Sequence, residues 1–388
     1  MSGARLIVDA DAIARNTRVF AALAPGEVMA VVKADGYGAG AELVARTALA
    51  AGAARLGVTS IDEAIALREA GITAPVLSWL NPVDADFGAA IMLGIELAVP
   101  GVAHLDAITL AAHALGRPAR VHLQIDCGMA REGCPRELWP QLLGFAAAAR
   151  ARGDVEVVGV MGHLSSADEP VDPANRRERA RFDQALRLAR AAGFDPAQVH
   201  LAATSAALTQ PAARHSLVRI GAGLVGIDPT GTHPLEGALT LEAQIVDVRE
   251  VPAGTPVGYG HSWLAEHATR LALVAAGYAD GVPRAVDPAA SVLVRGARRR
   301  IVGRVSMDQI VVDLGELAAA PGERVTVFGP GRHGEPTVAE WAQWCGTIPN
   351  EIVTGIGRRV ERIAAGAAAD AAAPASAAPA PTPKAAAR

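Results

Sequence analysis

Cysteine is scarce in this 388-residue chain, with only Cys127, Cys134 and Cys345. An odd, sparse set excludes a disulfide scaffold and fits a reducing compartment, so the cytosol is the expected location. Cys127 and Cys134 are too far apart for a CxxC pair and have no histidine-rich neighbour, so no metal site is expected. No uncharged apolar run is long enough to span a bilayer. The opening residues, MSGARLIVDADAIARN, lack the apolar core of a secretion signal. An excess of one charge is missing too: 36 Lys and Arg stand against 40 Asp and Glu, a net charge of −4. That balance leaves no electrostatic footprint for nucleic acid. The one local run, Arg298 to Arg300, reads as a solvated turn or strand end.

What is present is ample core material, since 51% of the residues are hydrophobic. The length predicts two domains. Through the first, residues 8–230, short β-branched runs alternate with Ala/Leu/Arg-rich stretches of helical periodicity closed by Gly. The strand candidates are VMAVVK, AARLGVTS, APVLSWL, IELAVP, VHLQID, VEVVGVMGH, VHLAAT and LVRIGAG. Strict strand–helix alternation implies parallel pairing, and eight such units fit a closed (β/α)8 barrel. An open doubly wound sheet is the alternative, although no GxGxxG follows the first strand. From 231 to 364 the pattern turns mainly to β, closing with two helical stretches, TVAEWAQWCG and NEIVTGIGRRVERIAAG. The early strand RLIVDA, which begins in residues 1–8 ahead of the barrel, is a candidate to join this second domain. The Ala/Pro-rich tail, 365–388, has too little to bury and reads as disordered.

In a parallel barrel, functional side chains gather at the carboxyl ends of the strands. In VMAVVKADGYGAG, residues 28–40, an apolar run ends on Lys33, and a buried ammonium is costly unless paired or chemically used. Asp126, Arg131, His163, Thr204, Ser205 and Arg219 also fall at or just beyond strand ends. A lysine able to form an imine needs a carbonyl partner. Ser205 and the amides of GAG, starting at Gly221, are able to cradle a phosphate. Pyridoxal 5'-phosphate meets both demands, although many barrels bind other phosphates.

Five motifs then point to a family. AVVKADGYG, IDCGMAREG, VGYGHSW, AAGYADGVPR and GRVSMDQIVVDLG occur in the order found in the alanine racemases. The sequence resembles that family over about residues 5–363. The resemblance implies pyridoxal phosphate held by Lys33 as an aldimine. Tyr37, Ser205 and Gly221, with Thr204, would bind the phosphate. His163 would lie against the ring, and Arg219 would donate to the pyridine nitrogen. Arg131 and the Met307 amide would face the substrate, and Tyr278 would line the entrance. Tyr259, the second catalytic group, would come from the partner chain of a homodimer with two shared sites. The reaction implied is interconversion of L- and D-alanine by two bases, Lys33 and Tyr259, supplying D-alanine for peptidoglycan.

Two positions depart from the family pattern. Gln124 stands where many members carry a carbamylated lysine, which leaves Arg131 to be positioned by a small anion or by the amide alone. Asn350 replaces a tyrosine that crowds the pocket, which opens a broad-specificity or serine racemase as an alternative. Ser306, Thr204 and Ile220 are smaller deviations. From other classes, a non-catalytic pyridoxal-phosphate protein has a single barrel, and a decarboxylase of basic amino acids shares the barrel and a β domain. The VGYG and SMDQ motifs favour the racemase.

Overall fold

Strands that are apolar on both faces must be covered on both faces, and the first half of the chain shows this. The computed structural model describes residues 3–372. After β1 (Ala4–Asp9) come β2 (Glu27–Val31), β3 (Arg55–Val58), β4 (Val76–Ser78), β5 (Ile95–Val99), β6 (Ala119–Gln124), β7 (Val155–Met161), β8 (Gln198–His200) and β9 (Leu217–Ile220). Strands β2 to β9 pair in parallel in the order β8-β7-β6-β5-β4-β3-β2-β9. Past the strand end, Ala203 pairs with Arg219 and the Arg219 amide donates to Ala202 O at 3.0 Å, nearly closing the ring. The fold is therefore an eight-stranded α/β barrel, not an open sheet.

The rest of the chain forms β10 (Leu239–Val251), β11 (Pro256–Val257), β12 (Trp263–Leu264), β13 (Thr269–Val274), β14 (Ser291–Val294), β15 (Ala297–Val302), β16 (Ile310–Gly315), β17 (Arg324–Phe328) and β18 (Glu361–Ala365). The long β10 pairs with β17 through its first half and with β13 through its second, so the antiparallel sheet curls back on itself. RLIVD of RLIVDA lies in β1, while Ala10 opens the following helix. Strand β1 runs antiparallel to β10 and parallel to β18. Its side chains alternate buried and half-buried, as a strand with one packed face requires. Arg298 to Arg300 lie within β15, where Arg298 reaches Glu340.

Two expectations are corrected. NEIVTGIGRRVERIAAG is not one helix: the helix covers Pro349–Thr354, a turn through Gly355 and Gly357 ends it, and RIAA belongs to β18. Pairing with β1 outweighs the local helical preference there. Part of the expected disordered tail is also ordered. Ala367–Ala372 is a helix whose first amides, Ala367 N and Ala368 N, donate to the Asp11 carboxylate at 3.0 and 2.8 Å. Alanine's high helix propensity and this cap favour it. The remainder of the tail, 373–388, lies outside the described residues.

Candidate active site

Strand β2 delivers Lys33 to the carboxyl rim, where Val32 N donates to Gly57 O on the neighbouring strand at 2.9 Å. The segment beyond Lys33 is not an ordinary glycine loop. Ala34, Asp35, Gly36 and Tyr37 all have positive φ, from 52° to 63°, and wind a left-handed turn. A left-handed conformation costs a residue with a Cβ about 1–2 kcal/mol, so the turn needs support. Gly36 N donates to Val32 O at 2.9 Å and Gly38 N to Ala34 O at 3.0 Å. Carboxylates secure both sides: Ala34 N donates to Glu63 Oε1 at 2.8 Å and Ala41 N to Asp35 Oδ1 at 2.9 Å.

The turn folds Tyr37 back over β9. The Ala222 backbone N–H bonds the Tyr37 phenol, and burial pushes that phenol up to about 12. A Cβ on Gly221 would lie 2.3 Å from the Tyr37 hydroxyl, so glycine is needed to keep the phenol where it stands. Beside it, Gly223 N donates to Thr204 Oγ1 at 3.3 Å, and Thr204 opens the short helix that carries Ser205. Tyr37, Thr204 and the Gly221–Gly223 turn thus converge, with Ser205 next to Thr204 in the chain.

Lys33 is only partly exposed, and among the described residues its ammonium has no hydrogen-bond or ion-pair partner. Burial lowers its pKa, and Arg131 and Arg219 lower it further against the opposing pull of Glu132 and Glu63. Arg219 is buried, and both its terminal nitrogens are engaged, while its Nε has no acceptor among the described residues. Its Nη2 donates to Gly162 O at 2.7 Å, Leu201 O at 3.1 Å and His163 Nδ1 at 3.1 Å, and its Nη1 donates to His200 O at 2.8 Å and His200 Nδ1 at 3.0 Å. Burial brings its pKa down only to about 10, so it keeps its proton. His163 is held neutral, with its pKa pushed down to about 3 by burial and the neighbouring cations.

Sequence reasoning did not find what lies behind Arg219. Arginine has no acceptor, so His200 must accept at Nδ1 and carry its proton on Nε2. That nitrogen meets His122 Nδ1 at 2.9 Å, and His122 Nε2 meets Glu96 Oε2 at 3.0 Å. Glu96 also takes Arg55 Nη1 and Arg120 Nη2, each at 3.0 Å. His200, His122, Glu96 and Arg55 are all buried. Their signal is present in the sequence as polar residues interrupting β-branched runs.

Arg131 follows a turn in which Asp126 Oδ1 accepts from the amides of Gly128 and Met129 at 2.8 and 3.0 Å. Its guanidinium is half exposed and paired with Glu132 at 2.9 Å. Gln124 Oε1 is buried with no partner among the described residues, so Arg131 does not engage it. Asn350 Oδ1 is likewise buried and unpartnered, on the helix whose Val353 O abuts Gly38 of the left-handed turn. Tyr259, Tyr278 and Met307 lie in the second domain and are 68%, 42% and 53% exposed. Among the described residues no hydrogen bond joins them to the Lys33 cluster. Tyr278 N donates to Ser306 O at 3.0 Å, which ties Tyr278 to the Met307 loop. Tyr37, Tyr259 and Tyr278 are the only tyrosines in the chain.

Fold and site together define a two-domain barrel enzyme with an unpaired lysine amine at the mouth and a polar cradle beside it. Residues 8–229 match the alanine racemase N-terminal domain, and 238–364 match the C-terminal domain. The chain is 45% identical to alanine racemase from Salinispora tropica over 356 residues, 91% of this chain and 96% of that protein. Among solved structures, it superposes on alanine racemase from D-cycloserine-producing Streptomyces lavendulae with a TM-score of 0.91 at 43% identity, covering 94% of this chain and 97% of that one. It matches the Bartonella henselae alanine racemase, which has covalently bound pyridoxal phosphate, at TM-score 0.84 and 27% identity, covering 94% and 100%. The chain belongs to the alanine racemase family, a family of isomerases. Membership over both domains sets aside the single-barrel carrier and decarboxylase readings.

Proposed function

We propose that the protein interconverts L- and D-alanine with pyridoxal phosphate held covalently at Lys33. The observation that carries this is the unpaired, partly buried Lys33 amine beside the Arg219–His163 pair and the Tyr37–Gly221 cradle. These residues fit the cofactor. Tyr37, Ser205 and the turn starting at Gly221 would hold its phosphate, which would take over the Ala222 and Gly223 amides from Tyr37 and Thr204. Arg219, with no acceptor at its Nε, suits the pyridine nitrogen, and Lys33 suits its aldehyde. When bound there, pyridoxal phosphate supplies the electron withdrawal that makes a Cα proton acidic.

Arg219 keeps its proton, so it offers the ring nitrogen a hydrogen bond and does not transfer a proton to it. Neutral His163 helps hold that guanidinium. Lys33 would take or return a proton on one face of Cα, since its amine has no hydrogen-bond or ion-pair partner among the described residues and burial shifts it toward the neutral form. The other face needs a second base. Tyr259 of the partner subunit fills that role: in its own chain the side chain is exposed and not bonded to the Lys33 cluster. The corresponding assembly is a head-to-tail homodimer with two shared sites. The Met307 amide and Arg131 hold the substrate side, and Tyr278 lines the entrance. The D-alanine formed would serve peptidoglycan synthesis in the cytosol, where the free cysteines are compatible with a reducing environment.

Chiral analysis of L-alanine incubated with the cofactor-loaded protein tests this reading. Wild type is expected to approach an equal mixture of enantiomers, and Lys33→Ala to leave L-alanine unchanged. In Tyr259→Phe, loss of one proton-transfer group is expected to cost about 10²-fold or more. A racemising Lys33→Ala protein would sink the assignment.

A second reading has its own observation. Asn350 is smaller than the tyrosine of the family pattern and lies on the helix that packs against the left-handed turn after Lys33, and the room this leaves favours serine as an additional substrate. In Asn350→Tyr, the kcat/KM ratio of serine to alanine is expected to fall. An unchanged ratio rejects this reading.

A further inference from the structure

Arg359 lies outside the site described above, in the turn between helix Pro349–Thr354 and β18. Its Nε donates to Asp280 Oδ1 at 2.8 Å and its Nη2 to Asp280 Oδ2 at 2.9 Å. The same Nη2 lies 2.6 Å from Asp308 Oδ1. Asp280 is buried in the loop of Tyr278, and its Oδ2 also accepts from Gly277 N at 2.9 Å. Asp308 comes directly after Met307 and is exposed. One guanidinium therefore joins the two loops that present Tyr278 and Met307.

The backbone packing explains why such a clamp is needed. A Cβ on Gly277 would lie 2.3 Å from Ser306 O and 2.4 Å from Met307 O. One on Gly357 would lie 2.2 Å from Ala279 O, and one on Gly281 would lie 2.8 Å from Ile356 Cα. Three loop backbones are stacked with no side chain between them. Backbone bonds from Tyr278 N to Ser306 O at 3.0 Å and from Ala279 N to Met307 O at 2.9 Å join the first two loops, and the Arg359 side chain ties both to the third. A planar arginine fork sets both distance and orientation, which a lysine point charge does not. Tyr259 is anchored elsewhere: its neighbour Gly258 abuts Gly303 and Arg304.

We propose that Arg359 is a positioning residue for the substrate side of the site, fixing the Tyr278 and Met307 loops through Asp280 and Asp308. It sets substrate affinity and leaves proton transfer alone, because neither Lys33 nor Tyr259 depends on it. The proposal rests on the reading of Tyr278 and Met307 as substrate-side groups.

The test measures KM and kcat for alanine, with equilibrium binding of propionate by calorimetry, in wild type, Arg359→Ala, Arg359→Lys and Asp308→Ala. Loss of a charge-assisted bond is expected to raise KM and weaken propionate about tenfold in Arg359→Ala, with kcat within about threefold of wild type. Arg359→Lys is expected to restore little of this loss. Asp308→Ala changes an exposed side chain, so the protein should fold normally while KM rises in the same direction. Wild-type KM and propionate affinity in Asp308→Ala would overturn the proposal, as would a fall in kcat matching the rise in KM in Arg359→Ala. An inactive wild type that still binds propionate more tightly than Arg359→Ala would reject the racemase reading and leave the role of Arg359 standing.

Discussion

Arg219 is the residue whose neighbours explain most of the barrel's polar interior. Its guanidinium only donates, so every bond from it through His200 and His122 points toward Glu96. The wire ends on a carboxylate that Arg55 and Arg120 share. Burial pushes the Glu96 carboxyl up, but the His122 bond, Arg55 and Arg120 prevail and bring it down to about 2. A carboxyl held below its ordinary value stabilises the fold above that value and loses this contribution as pH falls through the folded value. Unfolding free energy should therefore be insensitive to this group near neutrality and decline between about pH 4.5 and about pH 2. Glu96→Gln removes one of the two carboxylates that hold buried Arg55, the other being Glu27, whose Oε2 lies 2.9 Å from the Arg55 Nε. About 1–3 kcal/mol should therefore be lost in urea unfolding at neutral pH, as loss of a hydrogen bond to a charged group implies. The variant should also lose that part of the acid slope. Glu96, His122 and His200 are each legible in the sequence as polar interruptions of IELAVP, VHLQID and VHLAAT. Their mutual contact is not, because it depends on which strands face one another across the barrel.

Among the elements, the turn after β2 departs most from what local pattern predicts. ADGYG reads as part of a glycine-containing loop, and it is a left-handed turn in which Ala34, Asp35 and Tyr37 adopt a conformation that favours glycine. Glu63 and the β3 edge enforce it, and both come from a later unit of the barrel. The benefit is placement of the Tyr37 hydroxyl at Gly221. Gly221→Ala inserts a methyl where that hydroxyl stands and must displace it. Cofactor affinity, measured by titrating the apoprotein with pyridoxal phosphate, is expected to weaken about tenfold or more, as loss of a bond to a charged group implies. Unaltered affinity would remove Tyr37 from the phosphate site. Strand β18 carries the complementary lesson. Its Ala-rich sequence favours helix, but an unpaired edge on β1 captures it as a strand.

At the scale of the whole molecule, the Lys33 group and the Tyr259, Tyr278 and Met307 group occupy different domains of one chain. If the second group serves the partner's barrel, inactive variants should complement each other. Lys33→Ala and Tyr259→Phe chains, refolded together, should recover about a quarter of wild-type activity, because half the dimers are mixed and each has one intact site. Activity no greater than that of the separate variants would place both bases in one chain.

Hydropathy periodicity along the chain is enough to identify the alternating strands and helices, the turn to β structure after residue 230, and the strand ends that carry Lys33, His163 and Arg219. Those features are local, set by side chains a few residues apart. Barrel closure, the wire behind Arg219, the left-handed turn under Tyr37 and the capture of β18 all required the folded chain. Each joins residues tens to hundreds of positions apart, and their energies come from burial and pairing that no local stretch contains.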